Sequence, residues 1–302
     1  MRLVFAGTPA IAIPALTELS RIHTVTAVIT REDAPVGRKR VLTPSPVAEA
    51  AHQLSLPVIK TNRLTESVTA EVAALHPELG VIVAYGGLVR EPLLSLPPFG
   101  WINLHFSLLP RWRGASPVQQ ALIAGDKTTG ASIFQLTAAL DDGNVFNEIR
   151  HDISPDATAG ELLDELAGIG AHLLAETVGQ IAQGAAVARP QLGEPTYAPK
   201  LTSAHGRLDL TRDFGEVYSR FRGVTPEPGA WVLFREERMK ILSARRGPEI
   251  SLRPGRVLVH DKAVLVGTAT YPVELLLLQP FGKRAMPAAE WWNGTSGEVE
   301  FE

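Results

Sequence analysis

The chain has no cysteine. That removes disulfides, thiolate nucleophiles and cysteine-held zinc, and it suits a cytoplasmic protein. No apolar run approaches the roughly 18 residues of a membrane-spanning helix. The apolar stretch at the N-terminus, Met1 to Gly7, is too short for a secretory signal. A soluble chain with no membrane partner is expected. A surplus of one charge is missing as well: 29 basic against 32 acidic residues leave a net charge of −3. Any nucleic-acid contact must then come from local patches. Gly7-Thr8-Pro9 follows the first strand, yet neither G-x-G-x-x-G nor G-x-x-x-x-G-K-S/T occurs there. A nicotinamide oxidoreductase is therefore disfavoured. The 8 histidines form no H-E-x-x-H and no i,i+4 pair, which argues against a zinc hydrolase. There is no internal repeat or low-complexity tract.

What is present is concentrated in Asn103-Leu-His-Phe-Ser-Leu-Leu-Pro-Arg-Trp-Arg-Gly114, which follows the apolar run Gly100-Trp101-Ile102. On an extended strand, residues i and i+2 project from one face. Asn103 and His105 can therefore aim a hydrogen-bond donor and a proton carrier at one small volume. The Gly- and Pro-containing loop that follows suits a ligand, and acyl transfer is a plausible chemistry. An isolated Asn-x-His more often satisfies loop backbone, so neighbouring residues decide. Leu140-Asp141-Asp142-Gly143 puts a carboxylate on a turn. It reads either as an Asx-turn or as the partner of His105, and spacing alone does not choose.

With 302 residues the chain is expected to form two domains. Arg2 to Ala6, Thr24 to Thr30, Leu79 to Ala84 and Trp101 to Leu104 read as strands. A helix carrying Ile13, Leu16 and Leu19 and helical patterns around Pro46 to Leu54 and Thr65 to Leu75 lie between them. That alternation predicts an α/β fold with a doubly wound, mostly parallel sheet, whose ligands sit beyond the carboxyl ends of strands. Ala131 to Leu136 is a further strand. Thr158 and Glu161 form a capping box that opens a helix with Leu162, Leu166, Ile169, Leu173 and Ile181 on one stripe. Residues 1–188 are read as the catalytic domain and 189–203, rich in Pro and Gly, as a linker. In 204–302, short strands at 229–235, 238–244, 256–260, 263–267 and 273–279 predict a second, smaller antiparallel sheet or barrel.

These blocks carry a resemblance that runs from end to end. Val4-Phe-Ala-Gly-Thr-Pro9, Gly37-Arg38-Lys39-Arg40 through Pro44-Ser-Pro-Val47, Val83-Ala-Tyr-Gly86 and Ile102 through Pro117 are similar to the methionyl-tRNA formyltransferase family. So are Leu140-Asp-Asp-Gly143, Thr196-Tyr-Ala-Pro-Lys-Leu201 and Leu278-Gln-Pro-Phe-Gly-Lys283. Asn-x-His with Leu-Asp-x-Gly marks the wider formyltransferase superfamily, and Arg-Trp-Arg-Gly-Ala with the C-terminal blocks narrows it. The resemblance implies a formyltransferase-type Rossmann-like domain and an OB-like, tRNA-binding β-barrel. It implies formyl transfer from 10-formyltetrahydrofolate to the α-amino group of methionine on charged initiator tRNA, with no metal, by a monomer. Asn103, His105 and Asp141 are the implied catalytic residues. Ser107, Leu108, Leu109 and Pro110, with backbone near Tyr85 and Gly86, are the implied folate contacts. Arg38, Lys39 and Arg40 are the implied tRNA contacts, within a loop Arg31 to Val41 that also contains Arg31. Arg245, Arg246, Lys283 and Arg284 could hold the RNA stem.

Phe106 stands where many relatives have glycine, and Asp142 and Asn144 replace the commoner Thr and Asp. Arg111-Trp112-Arg113 reads as a solvated loop or as the mouth of a ligand site, and Trp291-Trp292 reads as packing rather than base stacking. A formyltransferase acting on a small amine shares the polar trio but leaves the basic loop unexplained. A non-catalytic folate- or RNA-binding module leaves the trio unexplained.

Overall fold

The computed structural model describes residues 1–37 and 39–302, which form two compact units. The first comprises Met1–Pro117, Thr128–Asp152 and Leu163–Ala198; the second comprises Val118–Lys127, Ile153–Leu162 and Pro199–Glu302. In chain order the elements up to the end of the first unit are β1 (Arg2–Gly7), α1 (Ile13–Ile22), β2 (Thr24–Thr30), β3 (Ala34–Val36), β4 (Val41–Thr43), α2 (Pro46–Gln53), β5 (Val58–Lys60) and α3 (Glu66–Ala74). They continue with β6 (Leu79–Val83), β7 (Trp101–His105), β8 (Arg113–Gly114), α4 (Pro117–Ile123), β9 (Thr128–Gln135), β10 (Val145–Asp152), α5 (Ala159–Ala182) and β11 (Tyr197–Ala198).

The central sheet runs β10-β9-β7-β6-β1-β2-β5. β5, β2, β1, β6 and β7 are mutually parallel, and β9 and β10 add an antiparallel edge. The apolar runs of β1, β2 and β6 are buried on both faces because helices cover both, as parallel sheets require. Val4, Ala6, Ile29, Ile82 and Trp101 pack in one cluster with Val68 and Val72 of α3. On the opposite face Leu104 meets α5: a Cβ on Gly170 would lie 3.0 Å from its Cδ1. Trp101, Asn103 and His105 alternate with Ile102 and Leu104, so the polar pair shares the Trp101 face.

Local rules account for the helix starts. Ser45 Oγ accepts from the Ala48 amide at 3.0 Å, with Pro46 at the first helical position of α2. The Glu161 carboxylate accepts from the Thr158 amide and hydroxyl at 2.8 Å each, as the capping box predicts. The parallel core also depends on one glycine. A Cβ on Gly80 would sit 2.1 Å from the Trp101 indole, which is fully buried and donates its N–H to the Leu93 carbonyl at 2.8 Å. Gly80→Ala is expected to destabilise the fold by roughly 1–3 kcal/mol, the usual cost of overpacking. A denaturant midpoint equal to that of the parent chain would contradict this.

The second unit contains α6 (Phe214–Gly223), β12 (Ala230–Phe234), β13 (Glu237–Arg246), β14 (Arg256–His260), β15 (Ala263–Val266), β16 (Val273–Pro280), β17 (Met286–Pro287), α7 (Ala288–Asn293) and β18 (Val299–Glu300). Its antiparallel sheet runs β12-β13-β16-β15-β14-β18, with β17 on β16. Leu233 and Glu302 exchange backbone hydrogen bonds at 2.8 and 2.9 Å, so the strand beyond β18 returns to β12 and closes the sheet on itself. The expected β-rich architecture is what forms. Trp291 packs against Phe234 and Phe301, at centroid distances of 5.4 and 5.5 Å, which is the packing role read from the sequence.

Candidate active site

β7 ends at His105, and β6, parallel beside it, ends at Val83. The segments 106–116 and 84–87 thus leave the sheet at the same edge, where doubly wound sheets hold ligands. His105 is 5% exposed. Its Nε2 lies 2.9 Å from the Trp112 carbonyl oxygen. A carbonyl only accepts, so Nε2 carries the hydrogen and a neutral ring keeps its lone pair on Nδ1. Nδ1 faces Asp141, with Oδ2 at 3.9 Å. Burial holds the His105 pKa below the 6.5 of a free imidazole, and the Asp141 charge and the Trp112 bond only partly offset that. At neutral pH the ring is a neutral base aimed at a carboxylate.

Asp141 reaches this point by an indirect route. β9 runs antiparallel to β7 and ends with Gln135 opposite Ile102, away from His105. The connection 136–144 carries the carboxylate back. Asp141 is held at φ +48°, a region that non-glycine residues seldom occupy. Its Oδ2 accepts from the Gly114 amide at 2.7 Å, and Asp142 is tied to the Thr137 hydroxyl. The structure therefore brings Asn103, His105 and Asp141 to one locality: a shared strand face for the first two and a 3.9 Å approach for the last two. Asn103 is half-buried, and its side chain makes no hydrogen bond to another described residue.

The 107–110 segment is held by hydrogen bonds to its neighbours. Ser107 is fully buried; its hydroxyl donates to the Arg111 carbonyl at 2.6 Å, and its own carbonyl accepts from Ser132 Oγ at 2.7 Å. The Leu109 amide donates to the same Ser132 Oγ at 3.2 Å. Ligand contact from Ser107 would have to come from its backbone. Phe106, at the departure from the usual glycine, is buried. The Tyr85 ring is 2% exposed and belongs to the core; its carbonyl accepts from Thr8 Oγ1 at 3.1 Å, and Arg31 donates to the Gly86 carbonyl. Arg31 also donates to the Asn62 carbonyl at 2.9 Å. It is thus tied to the first unit's own loops and keeps its charge at the base of the basic loop.

The stretch expected as a loop contains the hairpin β3–β4, with Val36, Val41 and Leu42 exposed. Lys39 and Arg40 are exposed at its turn; Arg38 lies outside the described residues. In the second unit Arg245 is bound bidentately by Glu274 at 2.7 and 2.8 Å, Arg246 pairs with Glu249 at 2.9 Å, and Arg284 is 3.9 Å from Glu290. Lys283 and several other cations of the second unit have no carboxylate within ion-pair reach among the described residues. Among them, Arg238 and Arg207 stack on Trp231 at 4.2 and 5.9 Å, and Lys240 lies opposite Trp231 across the strand pair. No group of three or more His, Asp or Glu side chains is placed to hold a metal among the described residues, and none of their helices is long and apolar enough to cross a membrane.

Sequence reasoning missed three contributors. The Trp112 carbonyl sets the histidine tautomer. Thr196 Oγ1 accepts the Trp112 amide at 2.9 Å, and Gln191 touches both Asp141 and Arg113. Residues 189–198, read as part of a linker, include β11, which pairs with β8, and Arg189, which exchanges backbone hydrogen bonds with Val145 at 2.8 Å.

A doubly wound sheet with an amide, an imidazole and a carboxylate at its ligand-bearing edge suits acyl transfer to an amine. Residues 1–178 match the formyl transferase family, and residues 200–296 match its C-terminal domain family. The methionyl-tRNA formyltransferase of Leifsonia xyli subsp. xyli (strain CTCB07) is 62% identical over 299 residues, 99% of each chain. The chain belongs to the methionyl-tRNA formyltransferase family. Solved structures share the fold at lower identity. The methionyl-tRNA formyltransferase from Clostridium thermocellum has a TM-score of 0.59 at 16% identity, over 82% of this chain and 94% of that one. The N-formyltransferase from Helicobacter canadensis, solved with folinic acid and dTDP-3-aminofucose, has a TM-score of 0.70 at 16% identity, over 92% of this chain and 99% of that one.

Proposed function

We propose that this chain moves the formyl group of 10-formyltetrahydrofolate onto the α-amino nitrogen of methionyl initiator tRNA. The observation that carries the reading is His105 Nδ1 facing Asp141, beside an Asn103 whose side chain bonds to no other described residue, in a chain this close to curated methionyl-tRNA formyltransferases. The reaction forms a bond from the amine nitrogen to the formyl carbon and breaks the bond from that carbon to N10. Asn103 donates a hydrogen bond to the oxygen on which charge develops. His105 Nδ1 takes the proton that the attacking amine must lose and returns one to the departing N10, so no net proton is left on the enzyme. Asp141 stabilises the imidazolium in between. Its 3.9 Å separation from Nδ1 is too long for a direct hydrogen bond and leaves room for a bridging water.

The backbone of 107–110, fixed beside His105, and the 84–87 segment at the same sheet edge are the folate contacts this reading assigns. Their internal hydrogen bonds keep that wall preorganised. The first unit carries the chemistry. Lys39 and Arg40 on the β3–β4 turn, with Arg38, contact the acceptor end of the tRNA. In the second unit, Arg207, Arg238 and Lys240 are better suited to phosphate than Arg245 or Arg246, whose charges are already matched. The reading describes a monomer working in the cytoplasm. Alanine at Arg38, Lys39 and Arg40 together is expected to raise KM for charged tRNA and leave folate affinity unchanged. It should also flatten the log–log salt dependence of tRNA binding by about one unit per lost phosphate contact. Unchanged tRNA affinity and salt slope would return this turn to a solvated loop.

The reading as a whole is tested by offering the purified chain 10-formyltetrahydrofolate with one of three acceptors: methionyl initiator tRNA, free methionine or an amino-sugar nucleotide. Preference for the tRNA is expected, and equal or greater formylation of a small amine would overturn it.

A further inference from the structure

Gln191 fastens the turn that carries Asp141. Its Nε2 donates to the carbonyls of Asp141, at 2.8 Å, and Gly143, at 2.9 Å. Its Oε1 accepts from Arg113 through Nη2 at 2.6 Å and Nε at 3.1 Å. Both amide hydrogens and both oxygen lone pairs are used. The reversed amide would set an oxygen against two carbonyl oxygens and an NH2 group against a guanidinium, so the partners fix the orientation. The turn needs this restraint. Asp141 sits in a left-handed conformation, and a Cβ on Gly143 would lie 1.7 Å from the Gln135 carbonyl oxygen. Such backbone persists only where the surroundings over-determine it. The carboxylate itself is held by the amide of Gly114, the residue after Arg113. Backbone and side chain of Asp141 are thus both referenced to the two residues of β8, one through Gln191 and the other directly.

We propose that Gln191 is a positioning residue for formyl transfer: its amide holds the Asp141–Gly143 turn against Arg113 so that the carboxylate stays within reach of His105 Nδ1. The proposal rests on the reading of His105 and Asp141 given above. Gln191 acts through Asp141 and not on the reacting atoms. Asp141 supports His105 across 3.9 Å without a direct hydrogen bond, so its effect depends on separation. The other charged groups on the flanking turn and loop are otherwise engaged. Asp142 is bonded to Thr137, Arg111 stacks on the Trp112 ring at 4.5 Å, and Arg113 is held by Gln191. β9 carries no charged residue; Ser132 lies opposite His105 across the strand pair, and the Phe134 ring stands nearly perpendicular to the imidazole at a centroid distance of 6.3 Å.

Gln191→Met keeps the length of the side chain and removes all four hydrogen bonds. It is expected to lower kcat for charged tRNA by roughly 10–100-fold, as loss of an orienting partner does elsewhere. KM for both substrates should stay within about twofold, because no ligand contact is lost. The acid limb of the kcat–pH profile should move to lower pH, since His105 loses part of the carboxylate's support. In an Asp141→Asn background the same change should cost little more, because the two residues act as one unit. Should Gln191→Met not fold, Gln191→Asn decides, its amide being one methylene short of spanning both partners. A folded variant with parental kcat and acid limb would overturn the proposal. So would losses that simply add to those of Asp141→Asn. If the parent chain itself fails to formylate methionyl-tRNA, the functional reading fails instead, and the comparison shows which of the two has gone.

Discussion

His105→Ala is expected to lower kcat by roughly 10²–10⁴-fold, the usual contribution of a general acid–base group, while the protein stays folded. Nδ1 is the only lone pair the ring can offer, because Nε2 is committed to the Trp112 carbonyl. No other neutral base approaches from β7, so the attacking amine would have to lose its proton to water. The structural cost is limited: the hydrogen bond from His105 to the Trp112 carbonyl is lost and a small void opens beside Phe134. Losing one buried hydrogen bond costs about 1–3 kcal/mol, and a large unit can absorb that. Circular dichroism should show a folded protein with a modestly lowered melting temperature, and single-turnover formylation should give the rate. A folded variant with near-parental turnover would remove His105 from the mechanism.

The second large effect is expected for Asp141→Asn, roughly 10²–10³-fold in kcat, within the range for acid–base groups. The substitution keeps the shape of the side chain and an oxygen for the Gly114 amide, so it isolates the charge. The sign follows from the two influences on His105. Burial lowers its pKa, and the Asp141 carboxylate raises it part of the way back. Without that charge the pKa falls further. The reaction needs a neutral His105, so activity is lost as pH drops through this pKa, and in the variant that loss should begin at lower pH. The plateau falls as well, because the imidazolium formed during transfer is no longer stabilised. A variant whose acid limb stays in place would mean that Asp141 does not act on His105.

Much of this was legible in the sequence where periodicity is strong. Thr24–Thr30 and Arg256–His260 are strands over the range their β-branched and apolar patterns predict. The two-residue spacing of Asn103 and His105 put both on one face. The hairpin β3–β4 was not legible, because its strands are three residues long, exposed and interrupted by Pro35. β10 alternates polar and half-buried residues at a sheet edge, and Asn147 and Arg150 mask its strand character. α6 was missed although Asp213 accepts the Glu216 amide at 2.9 Å and caps it. The parts of the site that depend on distant pairings left no local trace. The Asp141 contact spans 27 residues to Gly114, and Gln191 reaches back 50 to Asp141 and 78 to Arg113. Pro190, Gly193 and Pro195 do mark irregular chain, but irregular chain that packs has the same composition as a free linker.

The most direct measurement follows formyl-labelled 10-formyltetrahydrofolate in a single turnover with methionyl initiator tRNA across pH, for the parent chain and His105→Ala in parallel. The account predicts that label appears on the methionine α-nitrogen, with a rate that rises through an ionisation below pH 6.5. It predicts that this ionisation and most of the rate vanish together in the variant. Label that stays on the folate, or transfer whose rate and pH profile are indifferent to His105, would contradict it.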